Sequence, residues 1–463
     1  MSRIGLTIHD LFNLKSAVIY NPDNFRTIRN VSIDSRNITH DCLFVAVKGD
    51  RLDGHDYIDQ AVSNGATALL IDNRKLNEIK DVDLPVITVA DTIKALGELA
   101  GCWRKKLNTR IIGITGSTGK TSVKEMAAML LSTKYKVNRT IANQNNHIGI
   151  PLTLFSTNEK HDVLVAELGT NHFGEIDYTA NIALPDYAMI TNIGDSHLEF
   201  FLNRKGVLKE KLALFKATAK MNGTLFINED DEYLKKAATD YNKKVTYGFD
   251  SNSTVKGKVN GYSADGRPEI EITYKKNKLK VDLPLYGEAS AKNFLASAAV
   301  AFTLGLSVEE ISEGIKKLNK IEKRLNVKRR KDYLIIDDTY NANPASMKEA
   351  FNLAGRITLH KRKIAILGDM LELGEKSDQM HRKLAQLIKS NRFDAVYLIG
   401  KLMKNLHEEL KKMETESRYF NSRKKLNSFL TGQDLSDSVI LIKGSRGMKM
   451  EEFVKTIEEK TEK

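Results

Sequence analysis

The feature that most constrains the fold is a glycine-rich segment between an apolar run and a helix-like segment. The run from Arg110 to Ile114 has the composition of a strand, and Val123 to Leu131 has that of a helix. Between them the chain reads Thr-Gly-Ser-Thr-Gly-Lys-Thr, from Thr115 to Thr121. A strand, a glycine turn and a helix N-terminus form an anion cradle, because backbone N–H groups and the helix dipole both attract negative charge.

This segment predicts a loop that binds the phosphates of ATP or a close relative. Lys120 would reach the β- and γ-phosphates, and the hydroxyl of Thr121 would bind Mg²⁺. The spacing differs from the common phosphate loop, which has glycine at the position that Ile114 holds here. The other predicted phosphate-binding residues of the loop are Gly116, Ser117, Thr118 and Gly119.

Length and cysteine content narrow the class of protein. A chain of 463 residues is too long for one hydrophobic core and suggests about three domains. The two cysteines, Cys42 and Cys102, cannot form a disulfide framework, which favours a reducing compartment. The N-terminus lacks a signal-peptide pattern, and no apolar run reaches the roughly 18 residues of a membrane span. We therefore expect a cytoplasmic protein without a membrane span.

The net charge of +13 raises the question of a nucleic-acid partner. The basic clusters at 328–331, 361–363 and 423–425 lie far apart, and no aromatic-interleaved motif or zinc-finger spacing accompanies them. We interpret them as solvated surface and expect no nucleic-acid partner. The excess positive charge would still favour phosphorylated substrates through long-range attraction.

The order of strand-like and helix-like segments predicts an α/β protein of three domains. Residues 1–90 form a small α/β unit. Residues 91–322 alternate strands and helices, which is typical of a mostly parallel sheet, with a β-hairpin insertion from Thr254 to Leu285. Residues 323–463 repeat an α/β pattern that we interpret as a Rossmann-like domain.

Polar side chains follow several of these strands at the edge where ligands bind in parallel sheets. Glu167 ends one strand, and it is either a Mg²⁺ ligand or a solvated acid. His197 follows the strand Tyr187–Ile193 and either projects into the same cleft or is structural. The amides at 143–146 are either turn formers or groups that recognise a sugar or peptide. Three polar loops of the last domain, at 337–344, 368–374 and 443–446, suggest a shared ligand edge.

Together these segments resemble the ATP-dependent Mur ligase family, which adds amino acids to the peptidoglycan precursor. The resemblance covers almost the whole chain. It implies an N-terminal domain for the UDP end of the substrate, a central ATP-binding domain, and a C-terminal domain for the nucleotide and the incoming dipeptide. The motifs that carry it are Asp34–Arg36, Leu43–Gly49, Thr115–Thr121, Asn145–Thr153, Glu167–His172, Ile190–Gly194, Asp337–Pro344, Leu367–Gly374 and Lys443–Gly447.

The last three motifs resemble the member that joins D-alanyl-D-alanine to UDP-MurNAc-tripeptide. The resemblance implies an acyl-phosphate intermediate and the products UDP-MurNAc-pentapeptide, ADP and phosphate. It also implies two Mg²⁺ ions, small-molecule substrates as the partners, and a monomer. Whether the third residue of the tripeptide is lysine or diaminopimelate stays open.

The family's roles carry over by position. Lys120 and the loop amides would hold the ATP phosphates, with Thr121 on the first Mg²⁺. Glu167, His197 and a carbamylated Lys211 would hold the second, although Lys209 is an alternative to Lys211. The other implied residues are Asn293 at adenine, Asp338 at the ribose, Tyr340 at the base, Arg324 at the γ-phosphate, Ser35, Arg36 and Lys48 at the UDP end, and Asn145, Asn146, Asn341 and Asn343 at substrate.

Some positions depart from the family pattern. Ala289 and Ser290 stand where His-Asn often precedes the adenine asparagine, Ala142 stands where glycine is usual, and His147 where an acid is frequent. These departures concern adenine contacts and peptide recognition rather than the type of reaction.

Three alternative functions are weighed against this hypothesis. Folylpolyglutamate synthases share the chemistry, but their loop typically runs Gly-Lys-Gly and they lack a UDP-binding domain. A sibling ligase that adds the third residue would carry an Asp-Asn-Pro-Arg motif, where this chain has Gly368–Glu372. A catalytically silent nucleotide-binding scaffold would not need Lys120, Glu167 and Lys211 intact.

Overall fold

The computed structural model describes residues 4–79, 82–249, 252–318 and 326–461. These residues form two compact units, each of which is described by itself. The first unit comprises Met1–Thr115, Lys134–Met189 and Glu210–Leu225, and the second comprises Gly116–Thr133, Ile190–Lys209 and Phe226–Lys463. No helix in the described part of the chain has both the length and the apolar character needed to cross a membrane.

Strands and helices alternate along the described residues, as the sequence predicts. The strands are β1 Val18–Tyr20, β2 Asn30–Ser32, β3 Cys42–Val45, β4 Ala66–Asp72, β5 Val86–Val89, β6 Arg110–Thr115, β7 Val137–Arg139, β8 Val163–Glu167, β9 Tyr187–Ile190, β10 Thr224–Asn228, β11 Lys244–Gly248, β12 Val255–Tyr262, β13 Pro268–Tyr274, β14 Asn277–Asp282, β15 Asn326–Arg329, β16 Tyr333–Asp338, β17 Arg362–Gly368, β18 Ala395–Ile399, β19 Ser417–Phe420 and β20 Ser438–Lys443. The helices are α1 Ile8–Phe12, α2 Ile58–Ser63, α3 Thr92–Lys106, α4 Lys120–Leu131, α5 Gly149–Phe155, α6 Glu175–Ala183, α7 Leu198–Phe201, α8 Arg204–Lys220, α9 Glu232–Ala237, α10 Gly287–Thr303, α11 Val308–Ile315, α12 Pro344–Arg356, α13 Ser377–Ser390, α14 Met403–Lys412, α15 Arg423–Gly432 and α16 Glu451–Thr461.

The first unit contains a five-stranded sheet of order β1-β5-β4-β3-β2. Its strands are parallel except β1, which is antiparallel to β5. In the same unit β6 and β7 each pair parallel with β8. Every residue of β8 is buried, so this strand reads as a continuous apolar run rather than an alternating one. Such a run is typical of a parallel strand covered on both faces.

The second unit contains the strands that follow β10, in the order β11-β12-β13-β14. β11 pairs parallel with β12, while β13 is antiparallel to both β12 and β14. The predicted hairpin from Thr254 to Leu285 is therefore wrong, because this stretch forms three antiparallel strands. Its second turn is Lys275-Lys276, with Lys275 at φ 54°, and it lacks the glycine or asparagine that usually signals a tight hairpin.

The second unit also contains a six-stranded sheet of order β15-β16-β20-β17-β18-β19. All its pairs are parallel except β15 with β16. One apolar cluster packs α12, α13 and α14 on one face, and a second packs α15 and α16 on the other. Helices on both faces make this a doubly wound, Rossmann-like layer arrangement, as predicted. The sequence pattern missed the edge strands β15 and β19, which are short and largely polar.

Candidate active site

The phosphate-binding loop predicted from the sequence has the backbone of an anion cradle. Gly116 and Gly119 adopt φ values of 150° and 80°, and α4 begins at Lys120. A Cβ on Gly119 would lie 2.4 Å from Oδ1 of Asn293, and one on Gly116 would lie 1.9 Å from Oγ1 of Thr191. Glycine is therefore required at both positions by close approach as well as by conformation.

The segment that follows β9 forms several hydrogen bonds with the loop. The Ser117 amide donates to the Asn192 carbonyl at 3.0 Å, and the Thr118 amide donates to Asn192 Oδ1 at 3.1 Å. The Gly194 amide donates to Ser117 Oγ at 2.8 Å, and Ser196 Oγ lies 3.1 Å from the same hydroxyl. Asn192 thus engages two loop amides, although it was not among the predicted site residues. Its sequence signals are its place directly after a buried strand and its membership of the motif Ile190–Gly194.

A cavity of about 540 Å³ in the second unit opens beside this loop. That volume lies within the range of about 300 to 1,000 Å³ that small-molecule sites occupy. Two predicted residues of the loop, Gly116 and Thr121, are not among its lining residues. The predicted residues that do line it are Ser117, Thr118, Gly119, Lys120, His197, Asn293, Asp338, Tyr340, Asn341 and Asn343.

Asp338 is paired with a buried lysine that was not among the predicted site residues. The parallel register of β16 and β20 places Asp338 opposite Lys443, whose side chain is 1% exposed. The Lys443 ammonium donates to Asp338 Oδ2 and, at 2.8 Å, to the Asn341 carbonyl. The guanidinium carbon of Arg446 lies 5.7 Å from the centroid of the Tyr340 ring. Two cations therefore accompany the residues predicted to meet the nucleoside.

Charged side chains also gather near Ala289. Lys292 Nζ lies 2.9 Å from a carboxylate oxygen of Glu288 and 3.8 Å from one of Glu349. Burial raises the pKa of Glu349. For Lys292, burial acts against the charged form, but the bond to Glu288 and the neighbouring acids raise its pKa overall. Lys292 therefore stays charged in the cavity wall, with Glu288 as its nearest counter-charge.

His197 lies in the cavity wall with a left-handed backbone, φ 51°. Its Nδ1 lies 2.9 Å from Oε2 of Glu372, a close contact whose geometry is not that of an in-line hydrogen bond. This contact lowers the pKa of the Glu372 carboxyl. Glu372 belongs to the polar loop at 368–374, so two of the strand-end segments singled out in the sequence meet here.

The first unit holds the other two residues predicted to bind the second metal. Glu167 is 2% exposed, and its Oε1 accepts a hydrogen bond of 3.0 Å from Asn145 Nδ2. Lys211 is 1% exposed, whereas Lys209 is exposed. Between them, Glu210 accepts from the amides of Gly174 and Ile176, both at 2.8 Å, and so fixes the start of α6.

Several predicted substrate residues also have local structural roles. Asn146 Oδ1 accepts from the Ile148 and Gly149 amides and caps α5. Asn343 and Ser346 cap α12 reciprocally. Ala142 has φ 48°, a conformation that glycine adopts without strain, which explains why glycine would be usual there.

The predicted UDP-end residues lie in the first unit. Ser35 is buried and donates to Gln60 Oε1 at 2.6 Å. Arg36 makes two bonds of 2.9 Å to Asp34, which hold the pKa of the Asp34 carboxyl at about 2. Arg36 and Lys48 are exposed, so both side chains are accessible to a ligand. Arg324 lies outside the described residues.

The residues present fit ATP with Mg²⁺. Gly116 and Gly119 keep the loop free of side chains, and Lys120 supplies positive charge beside them. In the part of the chain that the structure describes, no three His, Cys, Asp or Glu side chains cluster as a metal site. Mg²⁺ does not need such a cluster, because it keeps several waters and binds phosphate oxygens with one or two protein ligands.

Comparisons with known proteins agree with this geometry. Three Mur ligase family models match this chain. The catalytic domain matches residues 27–104, the middle domain residues 114–301, and the glutamate ligase domain residues 323–446. The UDP-N-acetylmuramoyl-tripeptide–D-alanyl-D-alanine ligase of Bacillus subtilis is 34% identical over 98% of both chains. The chain belongs to the Mur ligase family. The predictions of an ATP-dependent ligase and of its fold are thereby confirmed.

Solved structures of this Mur ligase class have the same fold. MurF from Acinetobacter baumannii has a TM-score of 0.88 at 28% identity, covering 99% of this chain and all of that one. MurF from Thermotoga maritima, solved with ADP, has a TM-score of 0.79 at 29% identity and covers 94% of this chain and 98% of that one. A folylpolyglutamate synthase from Mycobacterium tuberculosis, at 15% identity, shares the fold alone. The folate alternative is therefore not favoured.

Proposed function

We propose that this Mur ligase joins D-alanyl-D-alanine to UDP-MurNAc-tripeptide, converting ATP to ADP and phosphate and giving UDP-MurNAc-pentapeptide. The observation that carries the proposal is the single cavity that the phosphate loop shares with Asn293, Asp338 and Tyr340. Relatives similar over nearly the whole chain bear the name of this activity, which supports the choice of substrates.

The nucleotide would lie along the cavity from the loop to the Asp338 strand end. Loop amides and Lys120 hold the phosphates, and Asn293, which touches the loop at Gly119, faces the base. Asp338 accepts from the ribose hydroxyls, and its pairing with Lys443 fixes the carboxylate in place. Tyr340, with Arg446 near its ring, offers a flat surface to the base.

The reaction requires that an unreactive carboxylate become an acyl donor. The tripeptide carboxylate attacks the γ-phosphorus of ATP, and ADP leaves, giving an acyl phosphate. The amine of D-alanyl-D-alanine then attacks the acyl carbon and forms a tetrahedral intermediate, which collapses to the amide and phosphate. Lys120 stabilises the charge on the transferring phosphoryl group. Arg324, which is not among the described residues, would have the same role.

Metal ions would be held by Thr121 at the first site and by Glu167, His197 and carbamylated Lys211 at the second. When bound, Mg²⁺ supplies charge neutralisation at the phosphoryl oxygens. The carbamate would turn a buried ammonium into an anionic ligand. The proposed substrate contacts are Ser35, Arg36, Lys48, Asn145, Asn146, Asn341 and Asn343. The proposed domain boundaries lie near residues 90 and 322. We also retain the cytoplasm as the location and a monomer as the functional state.

The test is phosphate release from ATP and Mg²⁺ with each cosubstrate alone and with both together. We expect release only when UDP-MurNAc-tripeptide and D-alanyl-D-alanine are both present. Parallel reactions with the lysine and the diaminopimelate tripeptides determine the third residue. Release that instead requires folate and glutamate, or no release with any pair, contradicts the proposal.

Replacing Lys211 by alanine should lower activity about 100-fold, since loss of a metal-supporting group costs up to about this factor. Short carboxylic acids should restore part of the activity by filling the vacated space, whereas bicarbonate should not, because no amine remains to be carbamylated. Lys209→Ala is the matched control two residues away and should keep wild-type activity. Full activity in Lys211→Ala would rule out the carbamate.

A further inference from the structure

Glu372 makes a contact with His197 that the proposed reaction leaves unexplained. The two residues belong to different segments of the second unit, the one after β9 and the one after β17. Nδ1 of His197 is buried against Oε2 of Glu372 at 2.9 Å. The imidazole is nevertheless 22% exposed and lines the cavity, and no described residue bonds its Nε2. One ring nitrogen is therefore occupied by the protein while the other is left to a ligand.

Both partners hold strained backbone conformations. His197 has φ 51° and Glu372 has φ 61°, in the left-handed region that side chains other than glycine enter at a cost. Such strain persists only where the surroundings impose it, and it concentrates at functional sites.

The surroundings of Glu372 impose its position from several directions. The Met370 amide donates to Nε2 of the buried His381 at 3.0 Å, and the Leu371 amide donates to Ser445 Oγ at 2.9 Å. The Asp369 carboxylate accepts from the Leu402 and Met403 amides at 3.1 and 2.9 Å. The three residues before Glu372 are therefore fixed to the sheet and to α14.

His197 is fixed in a similar way. The segment before it clasps the phosphate loop through Asn192 and Ser196, and Asp195 accepts two bonds, of 2.9 and 2.7 Å, from Arg204. The His197 ring also stands edge-on to Phe201, with centroids 6.3 Å apart. Two rigid supports thus meet at the contact between His197 and Glu372, beside the phosphate loop.

We propose that Glu372 is a positioning residue that holds His197 by Nδ1 and thereby presents Nε2 to the second metal ion. A carboxylate on the far nitrogen of a metal-binding histidine fixes the tautomer and the ring orientation and strengthens the ligand. The inference rests on the proposed function in one respect, that His197 binds the metal.

The test is Mn²⁺ binding in the presence of ADP, measured by titration and by pulsed electron paramagnetic resonance. Mn²⁺ replaces Mg²⁺ at oxygen-rich sites, and the resonance signal detects a coordinated imidazole nitrogen. Glu372→Ala should weaken the nitrogen-coupled Mn²⁺ about 10- to 100-fold, the usual cost of losing an outer-shell partner. Glu372→Gln, which keeps an oxygen of the same reach against Nδ1, should retain most of the affinity.

Matched variants separate this role from a general loss of charge or of folding. Glu375→Ala removes an exposed carboxylate three residues further along the chain, one that makes no ion pair with His197, and should bind Mn²⁺ like the wild type. His197→Ala should abolish the nitrogen coupling. Glu372 is 54% exposed on its side chain, so its truncation leaves no cavity in the core.

Three outcomes would overturn the inference. One is unchanged nitrogen-coupled Mn²⁺ in Glu372→Ala, the second is equal weakening in Glu375→Ala, and the third is a wild-type protein with no nitrogen coupling. Because the measurement uses ADP without the tripeptide carboxylate or the amine, its result does not depend on those two substrates. A protein without ligase activity can still show the expected Mn²⁺ binding, and an active ligase can lack it.

Discussion

Replacing Lys120 by alanine is expected to lower kcat about 10²- to 10³-fold, a loss of about 3 to 4 kcal/mol of transition-state stabilisation. Lys120 is the first residue of α4 and lines the cavity, and its Nζ donates to the Gly116 carbonyl at 2.8 Å. A phosphate group in the cradle would offer that ammonium a charged partner. The measurement is steady-state phosphate release at saturating concentrations of all three substrates.

Lys348→Ala is the matched control for this experiment. Lys348 is an exposed lysine on α12 that does not line the cavity, so the variant removes one positive charge from the same unit without touching the site. It should keep wild-type kcat. A Lys120→Ala enzyme with kcat within about threefold of the wild type would show that this ammonium does not meet the transferring phosphoryl group.

Replacing Lys443 by methionine is expected to destabilise the second unit by about 3 to 5 kcal/mol, because it leaves the buried carboxylate of Asp338 without its cation. Lys443 and Asp338 are 1% and 12% exposed on their side chains. The methionine fills nearly the same volume, so the effect reports the charge rather than a cavity. Hydrogen exchange at the amides of β16 and β20 measures the local free energy of opening.

The double variant Asp338→Asn/Lys443→Met provides the control. With both charges removed, the unpaired carboxylate is gone, and the protein should be more stable than Lys443→Met alone. A loss below about 1 kcal/mol in Lys443→Met, or no recovery in the double variant, would show that the pair does not stabilise the sheet.

The sequence predicted the strands that contain a continuous apolar run and missed several short strands that lack one. β8 and β16 to β18 were visible because their buried runs are continuous. The edge strands β15 and β19 are partly polar, and the extra strand in 254–285 follows a lysine turn with no glycine signal. A strand's place at an edge is set by its neighbours, which local composition does not encode.

The amides near the site show the same limit. The family resemblance implies that Asn146 and Asn343 contact substrate, yet Asn146 also accepts from the first amide of α5 and Asn343 caps α12. Asn192, Lys443 and Glu372 belong to motifs that the sequence pattern singled out, but nothing local to those motifs indicates which residues they contact. Their contacts join residues far apart in the chain, such as Lys443 and Asp338 at a separation of 105 residues.

The sequence by itself determined the phosphate loop, because the strand, the glycines and the helix that build the cradle are adjacent in the chain. It also determined the family, because the motifs and their order along the chain can be identified without knowing which residues are in contact. Only the tertiary structure decided which polar groups meet at that loop: Asn192 on its amides, Lys443 on Asp338, and Glu372 on His197. These partners depend on sheet register and loop packing, and both are fixed by interactions between segments rather than within them.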